Sequence, residues 1–327
     1  MLAGFLHEIR RYNVKISCCS PYNLKTLAHR FPEIEWLPYT EQARDNAIQT
    51  CDVWLGLGGS PFQSDVSDWF IKHLQEECQK CSNYQKPMYF LGIGGQDERA
   101  YQNPSVKLVI DQSEKLWVRD EFTLQSVLKI TSDKSKVILA EDLAHIFFQE
   151  NLLPTPKKGR ISVTLNFDYQ NWVSLNKTLI SLESLRPSER IWLIQENRRL
   201  IGAEKWLYST LSEDQQSCWN PVDINQEGSS LTHIGAIWPS SEWVLTSRFH
   251  TTLASAWAGS KIAVVATNFK LSAVAKACGI QALDPLAPTS NFLDALERAQ
   301  PVAKSHLIAK AEMSRRSVND FATLLDL

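Results

Sequence analysis

Two α/β units, each built on a parallel sheet and facing a common cleft, are the architecture that the sequence predicts. Three observations carry that prediction. Short apolar runs alternate with amphipathic helical stretches along the whole chain, the pattern of strands buried on both faces by helices. At 327 residues the chain exceeds one domain of roughly 100–200 residues. One segment, Asn151–Gly159, carries two prolines, a glycine and two lysines and breaks the alternation once, as a linker does. The expected division is therefore 1–152 for an N-terminal Rossmann-like domain and 158–327 for a C-terminal one with terminal helices.

In the first half, Val14–Cys19, Asp52–Leu57, Pro87–Ile93, Leu116–Val118 and Val137–Ala140 read as strands. They are rich in branched and aromatic residues and bounded by turn formers. Leu24–Arg30, Thr40–Thr50, Asp65–Cys81 and Glu121–Lys129 show helical spacing of apolar positions. After the linker, Arg160–Leu165, Arg190–Ile194, Trp243–Thr246 and Lys261–Ala266 read as strands. Helices are expected over about 169–185, 202–212, 250–258 and 270–278. Ser229–Trp238 looks helical, and the tail over about 290–326 reads as helix with a break at Pro301.

Composition narrows the function classes. Hydrophobic residues make up 44% and charged residues 21%, which excludes disorder, collagen-like repeats and a small disulfide scaffold. Lys+Arg 34 against Asp+Glu 36 leaves a net charge of -2, so no basic footprint for nucleic acid or an anionic membrane exists. Seven cysteines, mostly in apolar or helical surroundings, fit reduced thiols and not a disulfide framework. Cys78 and Cys81 have CxxC spacing, but no second pair or histidine set follows at zinc-ligand distance. Neither a metal nor a cofactor is called for. Met1–Arg11 is too short and too charged for a signal peptide, and no run approaches the ~20 apolar residues of a membrane span. A cytoplasmic protein is expected.

Ligands of open α/β sheets bind beyond the carboxyl ends of strands, and the informative residues cluster there. Gly58-Gly59-Ser60 follows a strand and precedes a helix; it reads either as a loop whose backbone approaches an anion or as a tight turn with Asp65 as helix cap. Gly92-Ile93-Gly94-Gly95 lacks GxGxxG spacing and a following acid, which argues against a dinucleotide site. Arg119 ends a strand and suits a phosphate or carboxylate, or an ion pair with Asp120 or Glu141, while Asp120 is the natural cap of the next helix. Asp142 follows another strand and could orient a hydroxyl or cap a segment. Ser247-Arg248-Phe249-His250 is the sharpest feature: a fixed cation and a proton-exchanging ring at a helix start. Lys270 opens the next helix, where a cation is unfavourable unless an anion sits beside it.

Taken together and in order, these blocks resemble the polysaccharide pyruvyl transferase family. The matching stretches are Asp52–Ser60, Gly92-Ile93-Gly94, Val118–Glu121, Glu141-Asp142, Ser247–His250 and Asn268-Phe269-Lys270, over about residues 50–285. The resemblance implies a GT-B-like pair of Rossmann-like domains. It implies transfer of a pyruvyl group from phosphoenolpyruvate to a sugar, forming a ketal, with a sugar, nucleotide-sugar or lipid-linked glycan as acceptor. By that analogy Arg119 and Arg248 grip the donor and His250 is the acid/base. Lys270 holds phosphate, Gly58, Gly59, Ser60 and Gly94 line the cleft with backbone amides, and Asp142 contacts substrate. The family opens with a strand and a Gly/Asp-rich loop; here Leu2–Arg11 already looks like the first helix, so the first domain is expected to lack its opening strand. The competing expectations are a GT-B-type glycosyltransferase using a nucleotide sugar, and a truncated, non-catalytic relative.

Overall fold

The computed structural model describes all residues except 64–68, 152, 167–174, 197–200, 225–239 and 327. The expected cap Asp65, the helix over Ser229–Trp238 and the first part of the helix over 169–185 lie outside the described residues. Two compact units form the chain: Met1–Phe147 together with Ala309–Leu327, and Phe148–Ile308. The C-terminal segment thus returns to the first unit, a return that a single cut at the linker does not contain.

The first unit runs α1 (Leu2–Ile9), β1 (Ile16–Ser20), α2 (Leu24–Arg30), β2 (Ile34–Pro38), α3 (Glu41–Thr50), β3 (Trp54–Leu57) and α4 (Trp69–Asn83). It continues through β4 (Met88–Ile93), α5 (Pro104–Gln112), β5 (Lys115–Val118), α6 (Glu121–Ile130), β6 (Val137–Leu139) and α7 (Ala144–Glu150). All its strand pairs are parallel, but they form two sheets, β1-β2 and β3-β4-β5-β6.

The second unit runs β7 (Lys157–Thr164), α8 (Leu175–Leu182), β8 (Glu189–Ile194), α9 (Glu204–Ser209), α10 (Glu213–Cys218) and β9 (Asn220–Asp223). Then come β10 (Ser241–Thr246), α11 (Phe249–Ala258), β11 (Lys261–Val265), α12 (Phe269–Cys278), β12 (Gln281–Leu283) and α13 (Thr289–Arg298), with α14 (Lys304–Leu324) last. Its six parallel strands lie in the order β12-β11-β10-β7-β8-β9. Counted from β7 this is 6-5-4-1-2-3, the doubly wound order, and the strand order reverses between β7 and β10. With β1 set against strand 2 of that count, the first unit reads 3-2 and 4-5-6-7, the same winding, and among the described residues no strand joins its two sheets. The expected fold class, two Rossmann-like units with parallel sheets, is what the chain adopts.

Local chemistry explains most boundaries. Asn23, Thr40, Asn103, Asp120 and Asn268 each accept a backbone N–H as helix caps, which satisfies donors that a helix start leaves open. The strands predicted from apolar runs are central or well covered: Leu91, Ile93, Leu116 and Trp117 in the first unit and Val163, Trp192, Leu245 and Val264 in the second are fully buried. The three strands that sequence did not signal, β2, β9 and β12, are edge strands. β2 and β9 contain Pro38 and Pro221, which an edge tolerates because one row of backbone groups needs no ladder partner. No helix among the described residues is long and apolar enough to cross a membrane.

Candidate functional site

The reversal between β7 and β10 places the two strands' carboxyl ends side by side. The Ser247 N–H donates to the Thr164 carbonyl at 3.0 Å, and the Asn166 N–H donates to Ser247 Oγ at 2.6 Å. Arg248 follows, at the cap position of α11, whose N-terminus carries no side-chain cap. This ten-residue helix therefore opens at the switch point without a cap from the Arg248 side chain, and its positive dipole end lies where doubly wound sheets receive anions.

Arg248 does not project as a free cation. Its Nε and Nη2 both donate to the carboxylate of Glu204, Nη2 at 2.8 Å, and Glu204 is wholly buried. The first residue of α9, Glu204 also accepts the Glu196 N–H at 3.1 Å and lies 3.4 Å from Thr164 Oγ1. The Asn166 amide satisfies both its neighbours when its oxygen faces Arg248 Nη1 at 2.9 Å and its NH2 faces Ser247 Oγ at 3.1 Å. Gln195, just past β8, donates to Thr251 in the first turn of α11. His250 is half-buried, its ring edge-on to Phe249 with centroids 5.3 Å apart. Lys270 stands half-buried as the second residue of α12, on the strand end next along from β10.

The first unit builds its own cluster where β3, β4, β5 and β6 end. Arg119 is 5% exposed, and its Nη1 donates to Asp142 Oδ2 at 3.0 Å while Nη2 donates to Ser60 Oγ at 3.1 Å. Asp142 is also buried and takes the Ala144 N–H on its other oxygen. Asp120 caps α6 through Thr123, as expected, and lies 3.8 Å from Arg119 Nε. Tyr101 lies against Gly95 and Thr123, and burial, followed by the nearby Asp120 charge, pushes its phenol up.

The glycine block is closed by its own neighbours. The Gly58 N–H donates to the Leu91 carbonyl, the Gly94 N–H to the Gly59 carbonyl and the Gly95 N–H to Thr123 Oγ1. The Gly59 N–H points at the Met1 sulfur, 3.1 Å away. A Cβ on Gly94 would stand 2.4 Å from Arg119 Nε, so the residue is glycine because the guanidinium lies against its backbone. Of the amides expected to line a ligand cleft, those of Gly58 and Gly94 tie the β3 and β4 loops together, and that of Gly59 faces Met1.

The structure brings Arg248 and His250 to one switch point and gathers Ser60, Gly94, Arg119 and Asp142 in the first unit. Each arginine has a buried carboxylate beside it. Sequence reasoning missed Glu204 altogether, because an acid in a helix's first turn reads as an ordinary dipole complement. It placed Asp142 at a strand end without pairing it to Arg119.

No protein-family model matches the sequence, and no curated protein is similar to it. Solved structures are similar over nearly the full length. A UDP-GlcNAc 2-epimerase from Methanocaldococcus jannaschii matches with TM-score 0.66 at 10% identity, covering 98% of this chain and 96% of the other. One from Neisseria meningitidis, bound to UDP-GlcNAc, matches with TM-score 0.57 at 12% identity, covering 97% and 90%. The glycotransferase of kitacinnamycin matches with TM-score 0.51 at 11% identity, again covering 97% and 90%. At these identities the likeness establishes the fold.

These findings correct the expected family and donor. The similar structures are UDP-GlcNAc 2-epimerases and a glycotransferase, not pyruvyl transferases, and no family model supports the resemblance. The structure gives the physical reason that the motif reading misled. Phosphoenolpyruvate carries a phosphate and a carboxylate, and Arg119 and Arg248 were expected to meet them. Both guanidiniums are already neutralised, by Asp142 and Glu204.

Proposed function

We propose that the chain is an enzyme of nucleotide sugars, with a UDP-sugar held at the switch point of the second unit. One observation carries this reading: α11 begins where β7 and β10 end, beside the hydrogen-bonded set of Asn166, Ser247 and Arg248. The positive end of the helix suits a diphosphate. The side chains around it offer donors and acceptors for ribose or sugar hydroxyls. The UDP-GlcNAc-bound structure of the same fold supports the choice of nucleotide. His250, in the first turn of α11, is the group in this set that can exchange a proton near neutral pH.

Calorimetric titration with UDP and UDP-GlcNAc tests the reading. Saturable binding of UDP, lost on replacing Ser247 by a bulky residue, is expected. Absence of binding by both ligands would overturn it. Incubation with UDP-GlcNAc, followed by NMR, then separates the two chemistries of the similar structures: a 2-epimer formed without any acceptor, or UDP released only when an acceptor is present.

A further inference from the structure

We infer that Glu204 is a positioning residue of the nucleotide site, fixing Arg248 so that it recognises ligand oxygens by hydrogen-bond direction and not by net charge. This inference rests on the UDP-sugar reading.

An arginine carries five N–H donors. Two of those on Arg248 go to Glu204 and one to Asn166. Among the described residues two donors therefore remain, on a side chain that is 24% exposed. Their direction is fixed because the planar guanidinium is held along one edge by a carboxylate and at a second nitrogen by an amide. The holding groups are themselves fixed. Glu204 is wholly buried and takes the Glu196 N–H, and Asn166 is tied to Ser247. The carboxyl ends of β7, β8 and β10 thus converge on one guanidinium. Because Glu204 cancels its charge, the pair offers a neutral, oriented fork beside the α11 N-terminus. The helix end supplies the attraction for phosphate, and the arginine supplies geometry.

Glu204→Gln separates these roles, because it keeps the shape, removes the carboxylate and leaves the site one charge more positive. If Arg248 acts by charge, UDP should bind the variant more tightly. If Glu204 acts by position, UDP affinity should fall by roughly tenfold, about what one well-placed hydrogen bond is worth. The residual affinity should depend more steeply on ionic strength than in the wild type, since an unpaired cation is screened by salt. Glu204→Asp should recover part of the loss. Circular dichroism and a melting curve show whether each variant is folded. Should Glu204→Gln fail to fold, Asn166→Ala removes the other support, and weaker UDP binding is again expected. Unchanged or tighter UDP binding in a folded variant overturns the inference alone. Absence of UDP binding by the wild type overturns the nucleotide reading and this inference with it.

Discussion

Arg248 and Glu204 stand 44 positions apart, and removing the arginine leaves the glutamate where water cannot compensate it. Arg248→Ala should destabilise the second unit by roughly 3–5 kcal/mol, the cost of an uncompensated buried charge, because Glu204 is wholly buried. Urea titration checks the value, and a loss below about 1 kcal/mol, the range of exposed pairs, would count against it. The double change Glu204→Leu with Arg248→Met should lose less than the single one, since neither variant side chain needs a partner. Asp111 gives the pH dependence. Burial works against its charge, but Lys107 and the N–H and O–H of Ser132 outweigh it and hold the carboxyl down at about 2. Its folded pKa lies below the unfolded value of roughly 3.9, so its contribution is complete above pH 4 and is lost as pH falls from there through about 2. Asp111→Asn should flatten the stability curve in that window and leave its shape near neutrality unchanged. The thiols give a third test: Cys218 is exposed, whereas burial pushes Cys78 to about 11 and Cys81 to about 12. Alkylation of the native protein should mark Cys218 first and spare Cys78 and Cys81. At this scale the sequence showed which residue types stood at strand ends but not their partners. Asp142 and Glu204 reach their arginines across 23 and 44 positions, and neither strand nor helix periodicity encodes such a distance.

Elements were most legible where burial is uniform, and the strands missed are short or polar edges. Strands β4, β5, β7, β8, β10 and β11 announce themselves because both faces are covered, so their apolar runs are continuous. The edge strands β2, β9 and β12 are short or broken by polar residues and proline, with Glu35 and Pro38 in β2, Asn220 and Pro221 in β9 and only three residues in β12, so the local pattern does not set them apart from loops. Helix ends were more visible, because caps and terminal glycines are local. Gly259 closes α11 at φ 87, with open space where a Cβ would stand. Gly259→Ala therefore meets no neighbour, and its effect is backbone strain alone. A loss of about 1–2 kcal/mol is expected from the left-handed conformation, with UDP affinity unchanged. Gly94→Ala differs in kind. Its Cβ would press on Arg119, which Asp142 and Ser60 hold in place, so the cost should exceed that of Gly259→Ala in the same denaturation assay. A smaller cost would show that Arg119 can move aside.

Whole-molecule organisation followed from the alternation of strands and helices, except for the destination of α14. An amphipathic helix states that it is docked, not on what, and sequence proximity suggested the second domain. From Ala309 onward it belongs to the first unit. Phe321 stands edge-on to Tyr89 and Trp117, with centroids 5.5 and 6.1 Å away, and 6.4 Å from Phe5. Lys310 pairs with Glu141, Ser314 Oγ donates to the Asp142 carbonyl at 3.0 Å, and Arg315 Nε donates to Glu8 at 3.0 Å. The helix thus completes the core around α1, β4 and β5 and braces the residues that follow β6. Ending the chain after Ile308 removes all of these contacts together and exposes Phe5, Tyr89 and Trp117 to water. Losing one large buried aromatic already costs roughly 3–5 kcal/mol, comparable with the whole stability of a marginal domain. Hydrogen exchange should then show β4 and β5 losing protection while β7 and β10 keep theirs, since the second unit retains its complete six-stranded sheet. Equal loss in both units would mean that they fold as one cooperative body. Preserved protection in β4 and β5 would mean that the first unit's core closes without the helix.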